Sequence, residues 1–248
     1  MSESKQPMQT AALKTDPGAP KNIDPISGKV IPSDLEKANN ALFYGAFHFA
    51  LRMFSKVLKD SMDNEDAWIG QLLSVFWAGA YEECIRCADQ AEKFIPNSAH
   101  RLALKSAALG RVGDFVEARI VAERAFKMPG FGAIGDWARG DFLIDKEAAA
   151  AAACFESALQ ASGKDKAVLL FIAKSYLTDH QFGKALQYLE ETVRIDPKNH
   201  HVLFCMSLAY KGMQSKESFE KYLRQAISLD ANNMEYQEVL RANNLAKK

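Results

Sequence analysis

Gly45-Ala-Phe47-His-Phe-Ala50, Gly79-Ala-Tyr81-Glu-Glu-Cys84 and Gly113-Asp-Phe115-Val-Glu-Ala118 share one pattern. A glycine is followed two residues later by an aromatic, and three residues after that by a small side chain. The glycines stand 34 residues apart. A block of that length copied along a chain is one helical hairpin repeated. Working outward from these turns, unit starts fall near 31, 65, 99, 132, 166 and 200.

Helical periodicity supports this register. The second helix of each unit carries small and bulky residues at offsets of four and three, which places each set on one face. The sets are Ala50/Phe54/Val57, Cys84/Ala88/Ala91, Ala118/Ala122/Ala125, Ala151/Phe155/Ala158, Ala185/Leu189/Thr192 and Phe219/Leu223/Ala226. Ser33-Asp-Leu-Glu36 is a capping box that opens the first helix. Pro96, Pro129 and Pro197 fall at unit junctions, where a helix must stop. Two turns depart from the pattern. The fourth unit has Lys146 and Ala148 in place of glycine and aromatic. The sixth has Gln214 and Lys216, with bulky Phe219 on the small-residue face, which predicts a looser hairpin.

Residues 1–32 hold five of the eight prolines, and the sequence predicts a disordered arm there. Ile23, Ile26, Val30 and Ile31 offer it a way to dock, and an arm folding back to regulate access is one expectation. Residues 33–233 hold the six hairpins, and 234–248 a helix capping the last unit.

The pattern resembles the tetratricopeptide repeat (TPR) family over about residues 31–233. The fifth unit carries it most clearly, with Leu169, Ala173, Tyr176, Phe182, Ala185 and Ile195-Asp-Pro-Lys-Asn199. Trp68, Gly79, Tyr81 and Pro96 supply it in the second. The resemblance implies an all-α, right-handed superhelix of antiparallel helix pairs, a TPR solenoid. It also implies that the first helices line a concave groove holding a partner. Carried across, that groove comprises Leu42 and Phe43; Ile69, Leu73, Phe76 and Trp77; Ala103 and Arg111; Leu143; Leu170, Lys174 and Leu177; and Phe204 and Leu208. TPR domains that clamp acidic C-termini place cations and asparagine there. Asn39 stands at one such position, but the matching sites of the second unit are Ile69 and Leu73, so an apolar, amphipathic or extended segment of another protein is the expected occupant. Phe76 and Trp77 are its natural hot spots, although a solenoid core would also bury such residues.

Thirty-one basic residues balance thirty-one acidic ones, which leaves no overall field to hold nucleic acid. No apolar stretch reads as a signal peptide or a membrane span, and the four cysteines sit in predicted helices, so a reduced, cytoplasmic protein is expected. Three local patterns mimic chemistry. Gly130-Phe-Gly132-Ala-Ile-Gly135 has dinucleotide-loop spacing but no preceding strand. Cys84-Ile-Arg-Cys87 lacks the second pair that a zinc site needs. His201 and Cys205, beside His200, share a helix face without a third ligand. The expectation is a non-catalytic scaffold, adaptor or chaperone with no cofactor and no metal. The alternatives are a self-associating, homodimeric component of a secretion- or pilus-like assembly, and an enzyme or metal binder built around His200, His201 and Cys205.

Overall fold

The computed structural model describes residues 33–243; the expected arm and the last five residues lie outside them. Thirteen helices follow one another, and no strand is present among the described residues. They are α1 (Asp34–Phe43), α2 (Phe47–Asp60), α3 (Glu65–Trp77), α4 (Tyr81–Ala91), α5 (Ala99–Arg111), α6 (Phe115–Phe126), α7 (Gly132–Leu143), α8 (Ala148–Ser162), α9 (Lys166–Thr178), α10 (Phe182–Ile195), α11 (His200–Gly212), α12 (Lys216–Leu229) and α13 (Met234–Ala242). Odd and even helices up to α12 pair as six hairpins, and α13 packs on α12.

The small-and-bulky faces are the buried faces. Every member of the six sets is buried except half-buried Val57. Opposite two of the three phenylalanines on these faces, Phe54 and Phe155, stands a glycine. A Cβ on Gly70 would lie 2.1 Å from the Phe54 ring, and one on Gly140 would lie 2.5 Å from the Phe155 ring.

Five of the six hairpins turn in the same way. Gly45, Gly79 and Gly113 adopt φ of 78°, 78° and 90°, and His180 and Gln214 take φ of 58° and 60° at the same register. Each turn closes with an amide reaching back five residues, such as Ala46 N–H to the Ala41 carbonyl at 2.8 Å and Ser215 N–H to the Tyr210 carbonyl at 2.9 Å. This is Schellman geometry, which satisfies helix-end carbonyls. The sixth turn is therefore regular, contrary to the sequence reading, because glutamine is held in the left-handed region. The fourth is the irregular one. There Glu147 N–H bonds back four residues to the Leu143 carbonyl at 2.8 Å, and Lys146 takes no positive φ.

Candidate protein-interaction site

The first helices bring their candidate residues together, but mostly against one another. Leu42, Phe43, Ile69, Leu73, Phe76, Ala103, Leu143, Leu170 and Phe204 are buried. Phe76 is 1% exposed, with its ring edge-on to Trp137 of the fourth unit at 5.7 Å. Trp77 lies 5.3 Å from Trp137 and 5.8 Å from Phe171 of the fifth unit. Rings from units two, four and five thus meet across the inside of the solenoid. The open apolar groove read from the sequence is, at these nine positions, protein core. The physical reason is tight winding: inner faces separated by two units come into contact.

The first unit also reaches the fifth and sixth. Tyr44 Oη donates to Asp196 Oδ2 at 3.4 Å, and its ring sits 5.4 Å from that of His200. Phe47 stands edge-on to His201 at 5.7 Å. Lys166 Nζ lies 4.6 Å from the Phe43 ring centre. Lys174 Nζ sits 4.2 Å from the Phe47 ring centre, 4.5 Å from that of Trp77 and 3.4 Å from His201 Nε2. Burial pulls the Lys174 ammonium down to about 8 and holds His201 well below the usual imidazole range. His201 is therefore neutral at pH 7, and its Nε2 accepts from Lys174.

The remaining candidates, Trp77, Arg111, Lys174, Leu177 and Leu208, are half-buried. All fall within the last five residues of their helices. Inner residues are reachable at this edge. Arg111 grips Asp141 there with two donors, Nε to Oδ2 at 3.0 Å and Nη2 to Oδ1. The pair lines a cavity of about 320 Å³ with Phe115, Ile144, Asp145 and Asp179. Asp141 is fully buried on its side chain, so the guanidinium neutralises a carboxylate that could not stand alone. Asp141, Asp145 and Asp179 escaped the sequence reading because nothing in the repeat register distinguishes them.

The chemistry-like patterns are structural. The glycine-rich stretch joins α6 to α7 with no strand before it. Cys84 and Cys87 are buried, and burial pushes the Cys84 thiol far up and that of Cys87 up to about 11. Cys205 Sγ lies 3.8 Å from His201 Nε2, but burial raises the thiol to about 11 while it lowers the imidazole. The pair stays thiol and neutral imidazole, which is not an activated nucleophile. Among the described residues, no group of three or more His, Cys, Asp or Glu is placed to hold a metal, and no helix is long and apolar enough to cross a membrane.

No family model and no curated protein matches the chain. Solved structures do. The human IFIT1 dimer with m7Gppp-AAAA superposes with a TM-score of 0.55 at 15% identity, covering 82% of this chain and 52% of that one. The APC/C hetero-tetramer Cut9–Hcn1 gives 0.50 at 16% identity, covering 84% and 42%. YrrB, described as a TPR protein with an unusual peptide-binding site, gives 0.44 at 14%, covering 76% and 97%. The chain thus spans about half of IFIT1 and two fifths of the Cut9–Hcn1 chain. At these identities the likeness is one of fold, and the neighbours are TPR proteins. Six helical hairpins in one register, buried on their small-residue faces and five of them closed by left-handed turns, give this chain the all-α solenoid fold of TPR proteins.

Proposed function

We propose that the chain is a non-catalytic protein-binding scaffold that engages a segment of another protein at the C-terminal edge of its inner helices. The observation that supports this is the position of the five half-buried candidates. Trp77, Arg111, Lys174, Leu177 and Leu208 all fall near those helix ends. Apolar Trp77, Leu177 and Leu208 would anchor the segment, and Asp145 and Asp179 beside the Arg111–Asp141 pair would favour basic or amide groups on it. The balanced charge of the chain favours protein over nucleic acid as partner.

The test is affinity capture from the native host with the full chain and with Leu177→Glu/Leu208→Glu. Both leucines are half-buried, so the variant should keep its helicity and lose the captured protein. Unchanged capture would remove this edge as the binding site. Phe76→Ala is unsuitable for the purpose: truncating a core ring costs about 3–5 kcal/mol of stability and confounds binding with folding.

A further inference from the structure

The outward face of α6 differs from that of the other second helices. At the register of Val116 the other units carry His48, Glu82, Ala149, Gly183 and Glu217. At that of Ile120 they carry Arg52, Arg86, Ala153, Gln187 and Lys221. Val116 is 75% exposed and Ile120 51%. A four-residue step aligns the two in one row. β-Branched residues are poorer helix formers than alanine, glutamate, lysine or arginine. Neither propensity nor core packing accounts for this row. It borders an open hollow of about 600 Å³ on the helix surface.

The charges beside the row indicate what covers it. Arg119 is paired with Glu147, and Glu123 with Arg139. Glu117 and Arg124 are exposed and have no ion-pair partner among the described residues. They stand seven residues apart, close to two turns, so both lie on the same flank of the apolar row. In an antiparallel helix pair related by a two-fold axis, each flank meets the same flank of the other copy in reverse order. The midpoint between Glu117 and Arg124 falls at Ile120–Val121. An axis there sets Ile120 against Ile120 of the second copy and forms the Glu117–Arg124 pair twice. Val116 then lies against the methylene stems of Arg124 and Lys127 of the second copy.

We propose that α6 is self-complementary and pairs antiparallel with α6 of a second copy of this chain. One helix face of twelve residues is at the small end of specific interfaces, so dissociation on the order of tens of micromolar is expected. This pairing is independent of the binding edge proposed above.

Sedimentation velocity on the full chain from 1 to several hundred micromolar should show a reversible monomer–dimer equilibrium. Ile120→Arg should abolish it while the far-UV spectrum and melting stay unchanged. Glu117→Arg and Arg124→Glu should each weaken the dimer about tenfold, because each replaces two attractive pairs by two repulsive ones. Combining the two restores both pairs with their signs exchanged and should return dissociation to near the wild-type value. A wild-type chain that stays monomeric throughout, or a double variant no tighter than the singles, overturns the proposal. A monomer that still captures a partner through Leu177 and Leu208 would leave the scaffold reading intact.

Discussion

Gln214 holds φ 60° at a register where Gly45, Gly79 and Gly113 hold 78° to 90°. A side chain in the left-handed region costs about 1–2 kcal/mol relative to glycine. The looser unfolded chain of glycine returns part of that, about 0.5–1 kcal/mol. Gln214 is exposed, so little packing is lost on truncation. Gln214→Gly should therefore stabilise the protein by about 0.5–1 kcal/mol, read as a rise of about 1–4 °C in melting temperature. His180→Gly should gain less, because the His180 ring packs 5.7 Å from Phe182. No change or a fall in melting for Gln214→Gly would mean that this turn is not strained. The glycine spacing made three of these turns legible. The other two were hidden because residue type stops reporting backbone conformation once flanking helices impose it. Gly45 carries a further constraint that spacing alone does not reveal: a Cβ there would lie 2.3 Å from His201 Nδ1, a residue more than 150 positions away in sequence.

At the scale of the helix, starts repeat as regularly as turns. Asn64, Ser98, Asp165, Asn199 and Asn233 each accept a bond from an amide two or three residues on and open α3, α5, α9, α11 and α13. Phe131 fills this position in the fourth unit with no side-chain cap. That unit is therefore irregular at its helix start as well as at its turn. One junction is fastened differently. Arg101, 1% exposed, reaches from α5 to donate to the Ala88 carbonyl at 3.2 Å, the Pro96 carbonyl at 3.3 Å and Glu92 Oε1 at 3.3 Å. It donates to carbonyls at and beyond the end of α4, where the last carbonyls of a helix lack intrahelical donors. Replacing Arg101 with methionine keeps much of the packed volume but strands those acceptors. A loss of about 2–3 kcal/mol is expected, measured as a lower urea midpoint with an unchanged slope. A stability within 0.5 kcal/mol of wild type would show that water takes over these bonds. Periodicity identified the helix as amphipathic but gave no reason to expect a buried arginine, because capping of a neighbouring helix is a contact between elements, not a property of one.

Across the whole of residues 34–243, the decisive contacts join units that are distant along the chain. Periodicity reports which face of a helix is apolar and not what covers it, so Phe76 and Leu170 fitted a groove and a core equally well. What settles the matter is a small rotation per unit, accumulated until unit one meets units five and six. Lys174 sits at that meeting, faced by Phe47 from α2, Trp77 from α3, His201 and Cys205 from α11, and Glu235 from α13. His200 adjoins His201. This predicts how stability varies with pH. Between pH 8 and 10.5 the folded chain releases the Lys174 proton while the unfolded chain retains it, so this group's contribution to stability rises with pH across that window. Below pH 6.5 the unfolded chain takes up a proton that buried His201 refuses, so stability falls with further acidification. Both groups thus favour the closed arrangement at higher pH. Urea midpoints should climb from pH 5 to 7. At pH 8.5 and 9.5 the buried thiols of Cys84, Cys87 and Cys205 pull stability down, because the unfolded chain ionises them first. Lys174 is therefore read from the difference: the wild type should gain on Lys174→Met from pH 7 to 9.5, with the acid limb kept in both. A difference between wild type and Lys174→Met that stays constant from pH 7 to 9.5 would show that Lys174 does not titrate there, and would remove it as the buried amine at the meeting of the first unit with the fifth and sixth.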